Sequence, residues 1–369
     1  MNKYKIFSNA KINIGLNVFQ KEDDGYHNID SIMVPIDLSD EMDITFYSEL
    51  GDLKIECSDK NIPTDERNIL YKTYKIFFEE SKKEKEKISI FLKKNIPSEA
   101  GLGGGSSNAG FFLKLLNKYY GNIYNEKELE ELAMKIGSDV PFFIKNKTAR
   151  VGGKGNKIQL IENNLRDSII LIKPINFGVS TKEAYESFDN LKEVKYADFD
   201  KIIENLREGN RIALENNIEN SLEQGILETN IDIKMLKMTL NSVISGKKFF
   251  MSGSGSTYYS FVTEFEKSQI ETRLKTFVDN VKIKKVDGDK SDRLRAYVDV
   301  TFDDALVIHG LKLMQGEQGL FVAMPSRKMR NEEFKDIVHP ICPELRNDIT
   351  KVVQEKYFSL DEEQEEAVV

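Results

Sequence analysis

Polar and apolar residues alternate from Lys11 to Phe19 (KINIGLNVF), a pattern that predicts a strand. Glu22-Asp23-Asp24-Gly25 then breaks the pattern as a turn. Similar patterning predicts strands at Glu41 to Tyr47, Leu53 to Cys57 and Ile88 to Leu92. Asn68 to Glu86 has helical periodicity and runs into the charged stretch KKEKEK, which predicts a helix with a solvated end. Ser107 to Tyr120 sets Phe111, Phe112, Leu115 and Leu116 on one helical side, and Glu126 to Ile136 predicts a second helix. Gly137-Ser138-Asp139-Val140-Pro141 stops that helix, and Pro141 disfavours helical geometry at Val140. Ile169 to Ile172 predicts a buried strand, and several helices follow between Thr181 and Ser245.

A composition change near Asp279 restarts the pattern with strands at Val281 to Val286, Leu294 to Phe302, Leu306 to Leu313 and Leu320 to Met324. A last helix is expected from about Pro343 to Phe358. At 369 residues the chain exceeds one ordinary domain. No internal repeat or long low-complexity linker interrupts it.

Hydrophobic content of 40% and aromatic content of 10% are enough to bury real cores. The N-terminus lacks the apolar core of a signal peptide, and no apolar run approaches the roughly 18–20 residues of a membrane helix. The two cysteines, Cys57 and Cys342, are far apart without metal-ligand spacing and read as unpaired thiols. A cytoplasmic protein is expected. The net charge of −8 argues against nucleic-acid binding by the whole surface but leaves room for a local basic patch. Asp361-Glu362-Glu363-Gln364-Glu365-Glu366 forms an acidic tail with the composition of disorder.

The candidate chemistry begins at Ala100-Gly101-Leu102-Gly103-Gly104-Gly105-Ser106-Ser107-Asn108. Glycines let the backbone approach a ligand closely, and a following helix presents free N–H groups and its positive end to an anion. Ser106, Ser107 and Asn108 add polar groups at the expected N-cap. The run fits neither GxxxxGK[ST], lacking the lysine, nor GxGxxG, whose third glycine would fall on Ser106. Alone it points to a phosphate without saying which one.

From Ile96-Pro97 to Asn108-Ala109 the segment resembles the second motif of the GHMP kinases. Ala10-Lys11-Ile12-Asn13-Ile14-Gly15-Leu16, Asp24-Gly25-Tyr26-His27 and Ile136 to Phe143 are similar to one branch of that family, the kinases of 4-diphosphocytidyl-2-C-methyl-D-erythritol. Gly152-Gly153-Lys154-Gly155, Gly178-Val179-Ser180-Thr181 and Ser252 to Ser256 fall in the expected order. The resemblance covers about residues 3 to 277. It implies an α+β, two-lobed GHMP kinase fold, with a ribosomal-protein-S5-like N-terminal lobe over 1–160 and a ferredoxin-like C-terminal lobe over 161–279. It also implies transfer of the γ-phosphoryl group of ATP to a tertiary hydroxyl.

The resemblance assigns Lys11 and Asp139 as the catalytic pair, Asp139 orienting the hydroxyl and accepting its proton and Lys11 offsetting negative charge. It places ATP on Pro97, Ala100, Gly101, Leu102, Gly103, Gly104, Gly105, Ser106, Ser107 and Asn108. Tyr26 and His27 match a cytidine-recognising pair, an aromatic face for stacking and an imidazole for the base edge. Tyr185 matches the aromatic across the cytosine, although its position also suits helix core, and Asn13 and Thr181 match substrate hydrogen-bonders. Mg²⁺ is expected to accompany ATP, with Ser106 or Ser107 able to touch it and no dedicated metal ligands in the motifs.

Residues 280–358 resemble the stage V sporulation protein G family, small regulators that bind DNA and RNA. The resemblance implies a small α+β domain with a C-terminal helix, dimerisation through it, and nucleic-acid contact from a basic loop holding Arg327 and Lys328. Residues 359–369 then remain as the tail. Two other readings compete: a GHMP kinase for another small alcohol, and a nucleic-acid-binding regulator with an inactive kinase scaffold. Tyr26-His27 with Gly137-Ser138-Asp139 counts against the first, and intact Lys11, Asp139 and glycine run against the second.

Overall fold

The structure, a computed structural model, describes residues 1–174, 178–243, 247–267, 280–285, 293–302, 306–316, 319–328, 334–336, 346 and 349–358. The chain divides into two compact units, Met1–Thr263 and Glu264–Val369. In the first unit, β1 (Asn2–Lys21) pairs antiparallel with the long, two-sided β2 (His27–Leu50). The first half of β2 also pairs with β5 (Ala149–Gly153), and its second half with β4 (Glu86–Lys93). β3 (Leu53–Cys57) joins β4 in parallel, and β6 (Lys157–Leu160) extends β5. α1 (Ile69–Ser81), α2 (Gly104–Tyr119) and α3 (Glu126–Ile136) cover this sheet over a core that includes Phe46, Ile90, Phe77, Phe112 and Leu132.

The second half of the unit holds β7 (Ser168–Ile172), β8 (Phe250–Met251) and β9 (Tyr258–Val262), ordered β7-β9-β8. Its helices include α5 (Thr181–Asp189), α6 (Phe199–Glu208), α7 (Arg211–Glu215), α8 (Ser221–Thr229) and α9 (Ile231–Val243). β1 is the seam between the halves, for Ile12 and Ile14 share one core with Phe199, Tyr259 and Phe261. The strand expected at Lys11–Phe19 lies within β1, and with both faces covered its polar residues Lys11, Asn13 and Asn17 are buried like the apolar ones. Their polar groups find partners instead, as when Asn17 bonds both the N–H and the C=O of Ala197.

Several expected boundaries move for local reasons. The first helix ends at Ser81 because Lys82 turns left-handed, and Glu86 already belongs to β4. Pro141 does not stop helicity at Val140. It sits in the first turn of α4 (Val140–Lys145), where its missing N–H has no helical role. β7 is half-buried rather than buried. The glycine run enters the helix, since α2 starts at Gly104 with Gly103 as its cap.

In the second unit, β10 (Asn280–Lys285), β11 (Leu294–Phe302), β12 (Leu306–Gly316) and β13 (Gly319–Ala323) form an antiparallel sheet in that order. Ala296, Val298 and Val300 alternate inward and pack with Leu311, Leu313 and Val322 against Ile349 and Val353 of the helical residues 349–358. β14 (Ser326–Lys328) pairs with β15 (Phe334–Asp336), so the expected basic loop is a short ribbon in which Arg327 stands opposite Lys335. Three-residue strands are too short to show a period in the sequence. Cys342, Val286 and the acidic tail 359–369 lie outside the described residues, as does part of the predicted last helix.

Candidate active site

Register breaks in β1 between Asn9 and Lys11 and between Ile14 and Leu16 flank the stretch that carries Lys11 and Asn13. Lys11 is 3% exposed. Its Nζ donates to Asn13 Oδ1 at 2.6 Å and to the Gly101 carbonyl at 2.9 Å, and lies 3.8 Å from Asp139 Oδ2. Burial pulls the Lys11 ammonium below the ordinary lysine range, and the Asp139 charge opposes that pull. Asn13 Nδ2 donates to Ser31 Oγ at 2.8 Å, and its carbonyl accepts from the Tyr259 hydroxyl at 2.8 Å. Asp139, at the start of α4, keeps a third of its side chain exposed (33%).

The glycine run is pinned from both sides. The Leu102 carbonyl accepts from the Lys11 N–H at 3.0 Å, and the Gly101 carbonyl also accepts from Ser252 Oγ at 3.0 Å. Gly101 has φ +69°, and a β-carbon there would fall 1.9 Å from the Ser252 carbonyl oxygen. The cap of α2 differs from expectation: Gly103 provides no side-chain hydrogen bond, and Ser106, Ser107 and Asn108 lie inside the helix. The first helical bond runs from Ser107 N–H to Gly103. The amides of Gly104, Gly105 and Ser106 therefore have no acceptor within the helix and suit an anion.

The side chains of Ser107 and Asn108 both bond to other parts of the protein. Ser107 Oγ donates to the Asn9 carbonyl at 2.6 Å, and Asn108 Nδ2 donates to Ser8 Oγ and to Asp40 Oδ2. Sequence reasoning missed Asp40. This fully buried carboxylate accepts from the N–H groups of Asn95 and Ile96, both at 2.8 Å, and from Lys94 Nζ. It fixes the chain entering the glycine run, and nothing local in the sequence marks it.

A cavity of about 1390 Å³ joins these groups. Lys11, Asn13, Asp139, Pro97, Ala100 to Ser106 and Asn108 line it, and Ser107 does not. Tyr26, His27, Thr181 and Tyr185 also line it. Tyr26 is 67% exposed, whereas His27 packs 5.0 Å from the Tyr185 ring. Burial, and secondarily the Asp139 charge, push the Tyr185 hydroxyl up to about 12. Thr181 Oγ1 lies 3.2 Å from Ser254 Oγ, which ties α5 to the second glycine-serine run. Lys154 pairs with Asp24 and lies over the Tyr26 ring at 5.5 Å, so the turn after β5 braces the 22–26 turn. No group of three or more His, Cys, Asp or Glu side chains fit to hold a metal occurs among the described residues. Among them, no helix is long and apolar enough to cross a membrane.

Free amides at the start of α2 lie on the same cavity as a buried lysine and a half-open aspartate, and the relatives of this α+β scaffold make the chain an ATP-dependent small-molecule kinase of the GHMP class. Residues 68–147 match the GHMP kinases N terminal domain, and residues 277–359 match SpoVG. The chain is 90% identical over 283 residues to a 4-diphosphocytidyl-2-C-methyl-D-erythritol kinase of Fusobacterium nucleatum, which covers 77% of this chain and 96% of that protein. It is 89% identical over 91 residues, 25% of this chain and 98% of the relative, to a protein of the same organism described as septation protein SpoVG. A crystal structure of 4-(cytidine 5'-diphospho)-2C-methyl-D-erythritol kinase is similar with a TM-score of 0.61 and 25% identity, covering 74% of this chain and 96% of that one. A homoserine kinase from Cytophaga hutchinsonii shares the fold at a TM-score of 0.53 and 17% identity, over 73% of this chain and 88% of its own.

The chain belongs to the 4-diphosphocytidyl-2-C-methyl-D-erythritol kinase family and carries a SpoVG domain at its C-terminal end.

Proposed function

We propose that the chain transfers the γ-phosphoryl group of ATP to the 2-hydroxyl of 4-diphosphocytidyl-2-C-methyl-D-erythritol, a step of non-mevalonate isoprenoid precursor synthesis. The observation that carries this reading is the single cavity running past Lys11 and Asp139 to both the glycine run and the Tyr26–His27–Tyr185 cluster. ATP lies with its phosphates on the amides of Gly104, Gly105 and Ser106. Cytosine stacks between Tyr26 and Tyr185, and Asn13 and Thr181 hold the polyol. The substrate oxygen attacks the γ-phosphorus as the bond to the ADP oxygen breaks, and Asp139 takes the hydroxyl proton. Lys11 sets a positive charge beside the transferring group, and its bonds to Asn13 and Gly101 fix its position. Mg²⁺ suits the phosphates of ATP, with Ser106 the hydroxyl of the Ser106–Ser107 pair that lines the cavity.

Asp139→Asn should abolish phosphoryl transfer while leaving ATP binding close to normal; near-normal turnover would sink this mechanism. Parallel assays with mevalonate and homoserine distinguish the cytidine substrate from those of other GHMP kinases.

The C-terminal unit is proposed as a nucleic-acid-binding and dimerising module. Arg327 and Lys328 on β14, with Lys335 across the ribbon, form a basic stretch suited to phosphates. Replacing Arg327 and Lys328 by Ala should weaken binding to DNA or RNA at low salt, and unchanged gel shifts would count against it. Measuring the size of the chain with and without residues 280–369 tests dimerisation.

A further inference from the structure

His27 is fixed on every side at the aromatic end of the cavity. Its side chain is 6% exposed, with Tyr185 at 5.0 Å and Phe188 edge-on at 5.8 Å. Nδ1 lies 2.8 Å from the Phe19 carbonyl oxygen. A carbonyl only accepts, so Nδ1 carries a proton and the tautomer is set. The other ring nitrogen, Nε2, lies 3.4 Å from Oδ1 of Asp189. Asp189 closes α5, one turn beyond Tyr185 and two beyond Thr181, and lines the cavity with them. Its side chain is 37% exposed, open to a ligand. The motifs that carry the kinase resemblance do not include it.

We propose that Asp189 is a specificity-determining residue that accepts a hydrogen bond from the 4-amino group of cytosine and rejects uracil. The inference rests on the substrate reading above. With Nδ1–H committed to Phe19, a neutral His27 presents Nε2 as an acceptor next to a second acceptor, the Asp189 carboxylate. Two acceptors 3.4 Å apart leave no room for a donor between them, but an amino group set beside both can direct an N–H at the pair. If the ring is charged, Nε2–H donates to N3 of cytosine while Asp189 still accepts from the amino group. Carboxylate to cytosine amino is also a pairing by which proteins read this base in nucleic acids. Uracil offers an oxygen where cytosine has its amino group, so the carboxylate repels it in either state. It also offers N3–H where a charged ring would donate. Edge recognition thus passes to a His27–Asp189 pair rather than to a free imidazole.

The test compares kcat/KM for the cytidine substrate and its uridine counterpart in the full chain, Asp189→Asn and Asp189→Ala. The unsubstituted chain should prefer cytidine by roughly tenfold to hundredfold or more. Asp189→Asn, whose amide donates to the uracil oxygen, should cut that preference at least tenfold by raising the uridine rate and lowering the cytidine rate. Asp189→Ala should lose cytidine activity without gaining uridine activity. A parallel fall for both bases, with their ratio unchanged, is what a ring-orienting role alone gives, and it would overturn the inference while leaving the substrate reading intact. An unsubstituted chain inactive on both substrates sinks the substrate reading and this inference with it. Calorimetry on the unsubstituted chain is independent of any variant's folding: CDP must bind at least tenfold tighter than UDP, and equal binding refutes the proposal.

Discussion

Replacing Gly101 by alanine tests whether the glycine run is shaped by the protein or only by its ligand. Two penalties meet at this position. Its φ of +69° is left-handed, which costs an L-residue roughly 1–2 kcal/mol. The added β-carbon would also fall 1.9 Å from the Ser252 oxygen, against a closest real approach of about 3.0 Å. The run and the 252–255 loop must part by about 1 Å, which breaks the Ser252 Oγ bond to Gly101 and stretches that from Lys11, about 1 kcal/mol each. Unfolding free energy should drop by about 3–4 kcal/mol. A displacement of about 1 Å at the transfer site should lower kcat by about a hundredfold. Gly105→Ala is the control, because its nearest atom would be Ile69 Cγ2 at 3.8 Å, and stability should hold or rise by about 0.5 kcal/mol. Denaturant unfolding and steady-state turnover on the same preparations check both numbers. A Gly101→Ala chain of unchanged stability, with kcat within a few-fold of normal, would refute the reasoning.

Asp40→Ala should cost about 3–5 kcal/mol in chemical unfolding, because it leaves the Lys94 ammonium and two backbone N–H groups without their buried acceptor. Burial lowers the Lys114 ammonium from 10.5 to about 8, with the Glu126 charge opposing. Below about 8 the proton is bound in both states and burial of the charge is a penalty. Between about 8 and 10.5 only the unfolded chain holds the proton, so stability rises with pH. Lys114→Met should therefore stabilise the protein by about 1–2 kcal/mol at neutral pH, and the gap should close as pH climbs past 10 in denaturant titrations.

The parts of the site that lie within one short segment were legible. Lys11, Tyr26-His27, the glycine run and Asp139 each sit in a motif of a few residues, and the fold brings them to one cavity. What stayed hidden depends on distant partners. Asp40, Ser31 and Ser252 are ordinary residues in ordinary strings until Asn108, Asn13 and Gly101 meet them. Asp189 is partly visible in retrospect, since Thr181, Tyr185 and Asp189 repeat at helical spacing on α5. Strands were legible both where one face is wet, as in β11, and where both are covered, as in the middle of β1, but the burial of Lys11, Asn13 and Asn17 depends on partners far along the chain. Pro141 shows that a residue read as a breaker can equally begin the next helix.

The Gly101 carbonyl receives Lys11 from 90 residues upstream and Ser252 from 151 residues downstream. Such a junction has a consequence for biosynthesis. A nascent chain that has reached residue 110 already contains Lys11, Gly101 and the start of α2, yet its glycine run lacks one of its two braces until Ser252 leaves the ribosome. Closing loops of that length is among the slow events of folding. Catalytic competence should therefore arrive late and abruptly, which makes the appearance of turnover during refolding a reporter of the last long-range contact rather than of the first strands.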